Sequence, residues 1–140
     1  MPTSPPLPAP SLPCAAAPAA LFDLRGRTAL VTGASRGLGL CMAQALAAHG
    51  ASVWLNGRDA AALALAVAQV EAHAAQGSVV RALPFDVTDT VNRQAALAKV
   101  KQVSGRLDVL VNNAGLRDRR PFTQLDAPAL RHMLESHLVA

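Results

Sequence analysis

The chain has 140 residues, 51% of them hydrophobic and 16% charged, with a formal net charge of +4. That length allows one domain or part of one, the apolar content argues against wholesale disorder, and two cysteines cannot build a disulfide scaffold. No apolar run approaches the ~20 residues that a membrane span needs, and tyrosine is absent.

Seven of the ten prolines fall before residue 19. Proline has no amide donor and fixes φ, so residues 1–20 are expected to be an extended, disordered Pro/Ala-rich tail. Residues 2–24 carry no Lys or Arg. The basic end of a secretory signal is therefore missing, as are the arginines of a transit peptide, and a cytoplasmic location is the default expectation. Cys14 falls in this tail and Cys41 in the folded part, and neither suggests a bridge. The cysteines and histidines show no metal-ligand spacing.

From Arg27 onward, short apolar runs alternate with helical periodicity. Thr28–Thr32 reads as the first strand. The helix after it should carry its apolar stripe on Leu38, Cys41, Met42, Ala45 and Leu46 and stop at Gly50. Val53, Trp54 and Leu55 give a second strand. Asp59 can cap a second helix that buries Leu63, Ala66, Val67 and Val70, with Gly77 as its stop. A third strand spans Val79–Leu83. A third helix starts around Asp89, has Ala96, Leu97, Val100 and Val103 on one face, and ends at Gly105. Leu107, Val109, Leu110 and Val111 form a fourth strand, and a last helix runs from about Pro128 to the end. Strands of near-continuous apolar residues, chiefly Val, Leu and Ala, between amphipathic helices require a parallel sheet covered on both faces. Right-handed crossovers then give an α/β, doubly wound sheet of strand order 3-2-1-4 over residues 21–140.

The strongest chemical signal is Thr32-Gly33-Ala34-Ser35-Arg36-Gly37-Leu38-Gly39, between the first strand and the first helix. A pyrophosphate approaching backbone amides at the positive end of a helix tolerates no Cβ there. Gly33 would permit the turn, Gly37 the close approach and Gly39 the packing of helix on strand. The competing reading is an ordinary tight turn. The sequence pI near 10.0 invites a nucleic-acid partner. However, the cations are scattered, aromatics are few, and the densest patch, Arg117, Arg119 and Arg120, is interrupted by Asp118. The excess charge also suits a multiply phosphorylated small molecule.

The glycine spacing T-G-x-x-x-G-x-G resembles the short-chain dehydrogenase/reductase family. Asn112-Asn113-Ala114-Gly115 after the fourth strand resembles the family's N-N-A-G, and Asp86-Val87 lies where the family contacts adenine. The resemblance covers residues 22–140. Phe22-Asp23-Leu24 and Leu55-Asn56-Gly57-Arg58-Asp59 look most like its gluconate 5-dehydrogenase-like branch. It implies a Rossmann domain binding a nicotinamide dinucleotide through Gly33, Ala34, Ser35, Arg36, Gly37, Leu38, Gly39, Asp86, Val87, Asn113, Ala114 and Gly115. Asn112 is expected to tie the sheet to a neighbouring segment. Asp86 has an alternative as a helix cap or turn residue, with Asp89 the better cap.

The end of the second strand bears on the choice of cofactor. An NAD-selective fold needs a carboxylate there for the ribose 2′-hydroxyl, but the matching position is Gly57, with Arg58 beside it and Arg36 across the turn. Guanidinium groups pair with a 2′-phosphate, so NADP(H) is expected over NAD(H). The competing reading of Arg58 is a solvated loop cation.

In the resembled family, hydride transfer between an alcohol and a carbonyl substrate uses an Asn, a Ser and a Y-x-x-x-K pair. His137 occupies the Asn position, as a proton-relay substitute or a half-buried structural residue, and no residue of this chain is assigned as catalytic. The 140 residues are therefore expected to be the cofactor-binding portion of a longer oxidoreductase, with homo-oligomers in the full-length family. The alternative is an inactive NADP(H)-binding or hetero-oligomerising module. A truncated sheet would leave the fourth strand at an edge, making the isolated chain marginally stable and prone to self-association.

Overall fold

A computed structural model of the chain describes residues 22–115 and 118–139. The expected tail at residues 1–20, with Cys14, and Arg117 of the basic patch lie outside the described residues. Four strands, β1 (Thr28–Val31), β2 (Ser52–Gly57), β3 (Val80–Pro84) and β4 (Val109–Val111), form one parallel sheet of order β3-β2-β1-β4. The helices are α1 (Gly37–Ala48), α2 (Ala60–Glu71), α3 (Thr90–Ser104) and α4 (Ala127–Leu134). A π-helical turn, Glu135–Val139, extends α4. The doubly wound order follows from the sequence pattern as expected.

Alternation along the strands sorts the core into two layers. Ala29, Val31, Val53 and Leu55 pack with Ala43 and Ala47 of α1 and with Leu63, Ala66 and Val70 of α2. Leu30, Trp54 and Leu83 point the other way, onto Ala96 and Val100 of α3. Side-chain caps from Asp59, Asp89 and Asp126 start α2, α3 and α4. Gly105 closes α3 in the left-handed conformation.

Several element details differ from the sequence reading. The buried face of α1 is Gly39, Ala43 and Ala47, while Cys41 and Ala45 are exposed and Leu38 is 70% exposed. Small residues let α1 sit close to the sheet, and the contact at Gly39 sets its rotation about one residue away from the larger side chains. On α3, Leu97 and Val103 flank the buried Ala96 and Val100 rather than joining them. Helix α2 stops at Glu71, ahead of Gly77, because the His73 and Ala74 amides donate to Val70 and Glu71 in a tightened last turn. Strand β3 lies one residue later than expected, with Pro84 as its final residue opposite Gly57.

Leu107 falls outside β4, and Asp108 ties the chain to the start of β1, its amide donating to the Thr28 carbonyl at 2.8 Å. The Asp108 carboxylate accepts from the Thr28 amide at 2.8 Å and from Arg27 Nη1 at 3.1 Å, and it pairs with Arg106. Arg106, then the Thr28 amide and Arg27, hold this carboxyl well below the usual carboxylate range. The folded state therefore favours the ionised form. Its stabilisation is present above the unfolded-state pKa of ~3.9 and fades as pH falls below that value. Asp108→Asn should melt lower than the parent at neutral pH, yet lose less on acidification from about pH 5 to about pH 3. Parallel melting curves across that range would contradict this role.

Among the described residues, β4 is an outer strand whose Leu110 is 53% exposed. No helix among them is long and apolar enough to cross a membrane, and no group of three or more His, Cys, Asp or Glu could hold a metal ion.

Candidate functional site

The glycine turn lies outside the carboxyl ends of the strands, where the sheet order reverses between β1 and β4. Two asparagines hold it in place. Asn56 ends the apolar run of β2 and is 1% exposed. Its Nδ2 donates to the carbonyls of Leu83 (3.3 Å) and Phe85 (2.9 Å), its Oδ1 accepts from the Gly33 amide (3.4 Å), and its own carbonyl accepts from the Ala34 amide (2.8 Å). Asn113 anchors the other side, with Nδ2 donating to the carbonyls of Thr32 (3.0 Å) and Gly33 (3.2 Å). The Thr32 hydroxyl donates to the Val111 carbonyl and accepts from the Asn113 and Ala114 amides, both at 2.9 Å. The residue tying β4 to its neighbour is thus Asn113 rather than Asn112, whose side chain stays exposed. Side-chain direction explains the correction, since Asn113 is the one directed back at β1.

The glycines have separable roles. A Cβ on Gly33, whose φ is +63°, would fall 2.9 Å from Ala114 Cα. A Cβ on Gly39 would fall 2.5 Å from both the Gly33 carbonyl oxygen and Asn113 Nδ2. Gly37, at φ +60°, has nothing within 4 Å on its Cβ side, so its backbone faces open space. Helix α1 begins there with Arg36 at the capping position and no side-chain cap, unlike α2, α3 and α4. No side chain takes up its first amides, an arrangement that can receive an anion.

Gly33, Ser35, Arg36, Gly37, Arg58, Asp86, Val87, Asn113, Ala114 and Gly115 line one open cleft of about 360 Å³. Ala34 is buried beneath the turn, Gly39 packs behind it, and Leu38 points to solvent, so these three do not line the cleft. Asp86 caps no helix. Its Oδ1 accepts from the Thr88 amide (3.0 Å) and hydroxyl (2.7 Å), and its Oδ2 lies 3.9 Å from Arg58 Nη1. The Thr88 bonds, then the nearby Arg58 and His132, hold this carboxyl below its ordinary value.

Asn56, Thr88, His132 and Ser136 also line the cleft and were not singled out from the sequence. Asn56 carried a signal, a polar residue closing an otherwise apolar strand. His132 and Ser136 carried none, since they stand far along the chain from the glycine turn. His137 faces an adjoining cavity of about 400 Å³. Its ring packs on Gly115, where an added Cβ would fall 2.5 Å from its Cε1.

Residues 27–140 match the family described as short chain dehydrogenase. Gluconate 5-dehydrogenase of Gluconobacter oxydans (strain 621H) is 44% identical over 104 residues, covering 74% of this chain and 40% of that protein. The 5-keto-D-gluconate 5-reductase of Escherichia coli (strain K12) is 38% identical over 104 residues, with the same coverage. The crystal structure of L-sorbose reductase from Gluconobacter frateurii, complexed with NADPH and L-sorbose, superposes with a TM-score of 0.77 at 26% identity. That match covers 84% of this chain and 44% of the reductase. The chain spans about two fifths of the length of these two curated relatives.

Proposed function

The chain belongs to the short chain dehydrogenase family, matching its N-terminal portion, and from that premise we propose that its cleft binds NADP(H) in preference to NAD(H). The observation that carries this reading is the uncapped start of α1 behind Gly37, flanked by Arg36 and Arg58 in one cleft. The Gly37 amide, at the uncapped start of α1, would take the diphosphate. Arg36 and Arg58 would take the ribose 2′-phosphate, because no carboxylate stands at Gly57 to accept from a 2′-hydroxyl. Asp86 and Val87 would flank the adenine, and Asn113 to Gly115 would lie along the ribose and nicotinamide end. The NADPH bound to the related L-sorbose reductase supports the choice of cofactor. When bound, the cofactor supplies a hydride.

Titration of the chain with each cofactor tests this reading. NADPH should bind more tightly than NADH. Arg58→Asp should weaken NADPH about tenfold or more, since a charge-assisted hydrogen bond is worth ~1.5–3 kcal/mol, and leave NADH nearly unchanged. Equal affinities in the unmutated chain would count against it.

The activity proposed for the whole protein is interconversion of an alcohol and a carbonyl, with sugar acids or similar polyols as the substrate class. It would act in the cytoplasm as a homo-oligomer, with residues 21–140 forming the Rossmann domain and residues 1–20 a tail. One observation favours a second reading, an NADP(H)-binding or hetero-oligomerising module without turnover. The residues assigned to the cleft would all hold cofactor, and none of them is assigned a catalytic role. Turnover of a ketone with NADPH separates the two.

A further inference from the structure

Arg58, assigned above to the ribose phosphate, already has a partner. Its Nη1 lies 3.9 Å from Asp86 Oδ2, and both residues line the cleft. The carboxylate is fixed, because the Thr88 amide and hydroxyl both bond to Oδ1 and leave Oδ2 for Arg58. The Arg58 and Asp86 side chains are 67% and 40% exposed, so the pair is weak and its partners exchange readily.

A phosphate docking on Arg58 competes with Asp86 for the same guanidinium. A 2′-hydroxyl makes no such demand. Adenine, diphosphate and nicotinamide are common to both cofactors, so contacts with them cancel from the ratio of the two affinities.

We propose that Asp86 is a specificity-determining residue, which by holding Arg58 limits how strongly this cleft prefers a 2′-phosphate over a 2′-hydroxyl on the bound dinucleotide. The inference rests on the NADP(H) reading above. Arg58 sets the direction of the preference, and Asp86 sets its size. Asp86 thus opposes the selectivity of the cleft it lines, and a chain with the pair intact retains some affinity for NADH.

The test is calorimetric titration of NADPH and NADH into the unmutated chain, Asp86→Asn, Arg58→Met and the double variant. Asn keeps an acceptor for Thr88, and Asp86→Ser supplies a second variant able to form the same local turn. The expected result is a roughly three- to tenfold rise in the NADPH-over-NADH ratio for either Asp86 variant. The same change on top of Arg58→Met should move the ratio by less than about twofold. An unchanged ratio in the Asp86 variants, or both affinities falling together, overturns the proposal. So does an equal rise in the Arg58→Met background, which would assign the effect to the carboxylate acting alone. If Arg58→Met itself leaves the ratio of the unmutated chain unaltered, the NADP(H) reading fails first, and this inference falls with it.

Discussion

Gly39→Ala is expected to cost about 2–3 kcal/mol and to lower the melting temperature by roughly 10–20 °C. The added methyl would sit 2.5 Å from the Gly33 carbonyl oxygen, which is backbone and cannot swing aside, and 2.5 Å from Asn113 Nδ2, which anchors the turn. Relief requires moving α1 off the sheet or breaking the Asn113 bonds, and either one dismantles the cleft. Gly37→Ala is the informative contrast. Nothing lies within 4 Å of a Cβ there, so the cost is limited to holding φ at +60°, about 1–2 kcal/mol. Gly37→Ala should therefore fold but lose NADPH affinity by about a hundredfold, because the methyl stands where the diphosphate approaches the amides. Thermal melts and titrations of both variants check this. Undiminished binding by a folded Gly37→Ala chain would show that no phosphate approaches on that side.

How much of this was legible in the sequence depends on what each residue reports about itself. Buried parallel strands must be apolar, so Ala29 to Val31 and Val53 to Leu55 announced themselves, and the two-layer core followed from alternation. The glycine turn was equally readable, because Gly33 and Gly37 both take a positive φ that favours glycine. The rotation of α1 was not. Hydrophobicity favours Leu38 and Cys41 for the core, whereas close helix-to-sheet packing selects Gly39, Ala43 and Ala47, and the packing constraint prevails. Adjacent asparagines posed a similar difficulty. Asn112 and Asn113 are chemically identical, and only the direction of the chain leaving β4 decides which one reaches Thr32 and Gly33. Arg58 and Asp86 were each visible as candidates, but their pairing joins the ends of β2 and β3 and needs the register of those strands.

Asn56 joins three segments of the cleft wall, and its replacement should produce the second large effect. Its amide nitrogen faces two backbone carbonyls, and its oxygen faces the Gly33 amide, all at a side chain with almost no solvent contact. Asn56→Asp puts an oxygen against the Leu83 and Phe85 carbonyls. Burial and those carbonyls would penalise the ionised form and raise its pKa above the unfolded value of ~3.9. A rise of about two units corresponds to ~3 kcal/mol lost at neutral pH. The sign of the pH dependence follows. The protonated acid can donate to Phe85, so the deficit should be small below the unfolded pKa and should grow as pH rises through the folded one. Asn56→Leu instead removes the donor to the Leu83 and Phe85 carbonyls and the acceptor for the Gly33 amide, none of which titrates, at about 3 kcal/mol independent of pH. Melting temperatures of both variants against the parent at about pH 7 and about pH 5 separate these cases. An Asn56→Asp deficit that did not shrink at the lower pH would mean that the side chain at this position does not face the Leu83 and Phe85 carbonyls, and the support assigned here to the glycine turn would have to come from elsewhere.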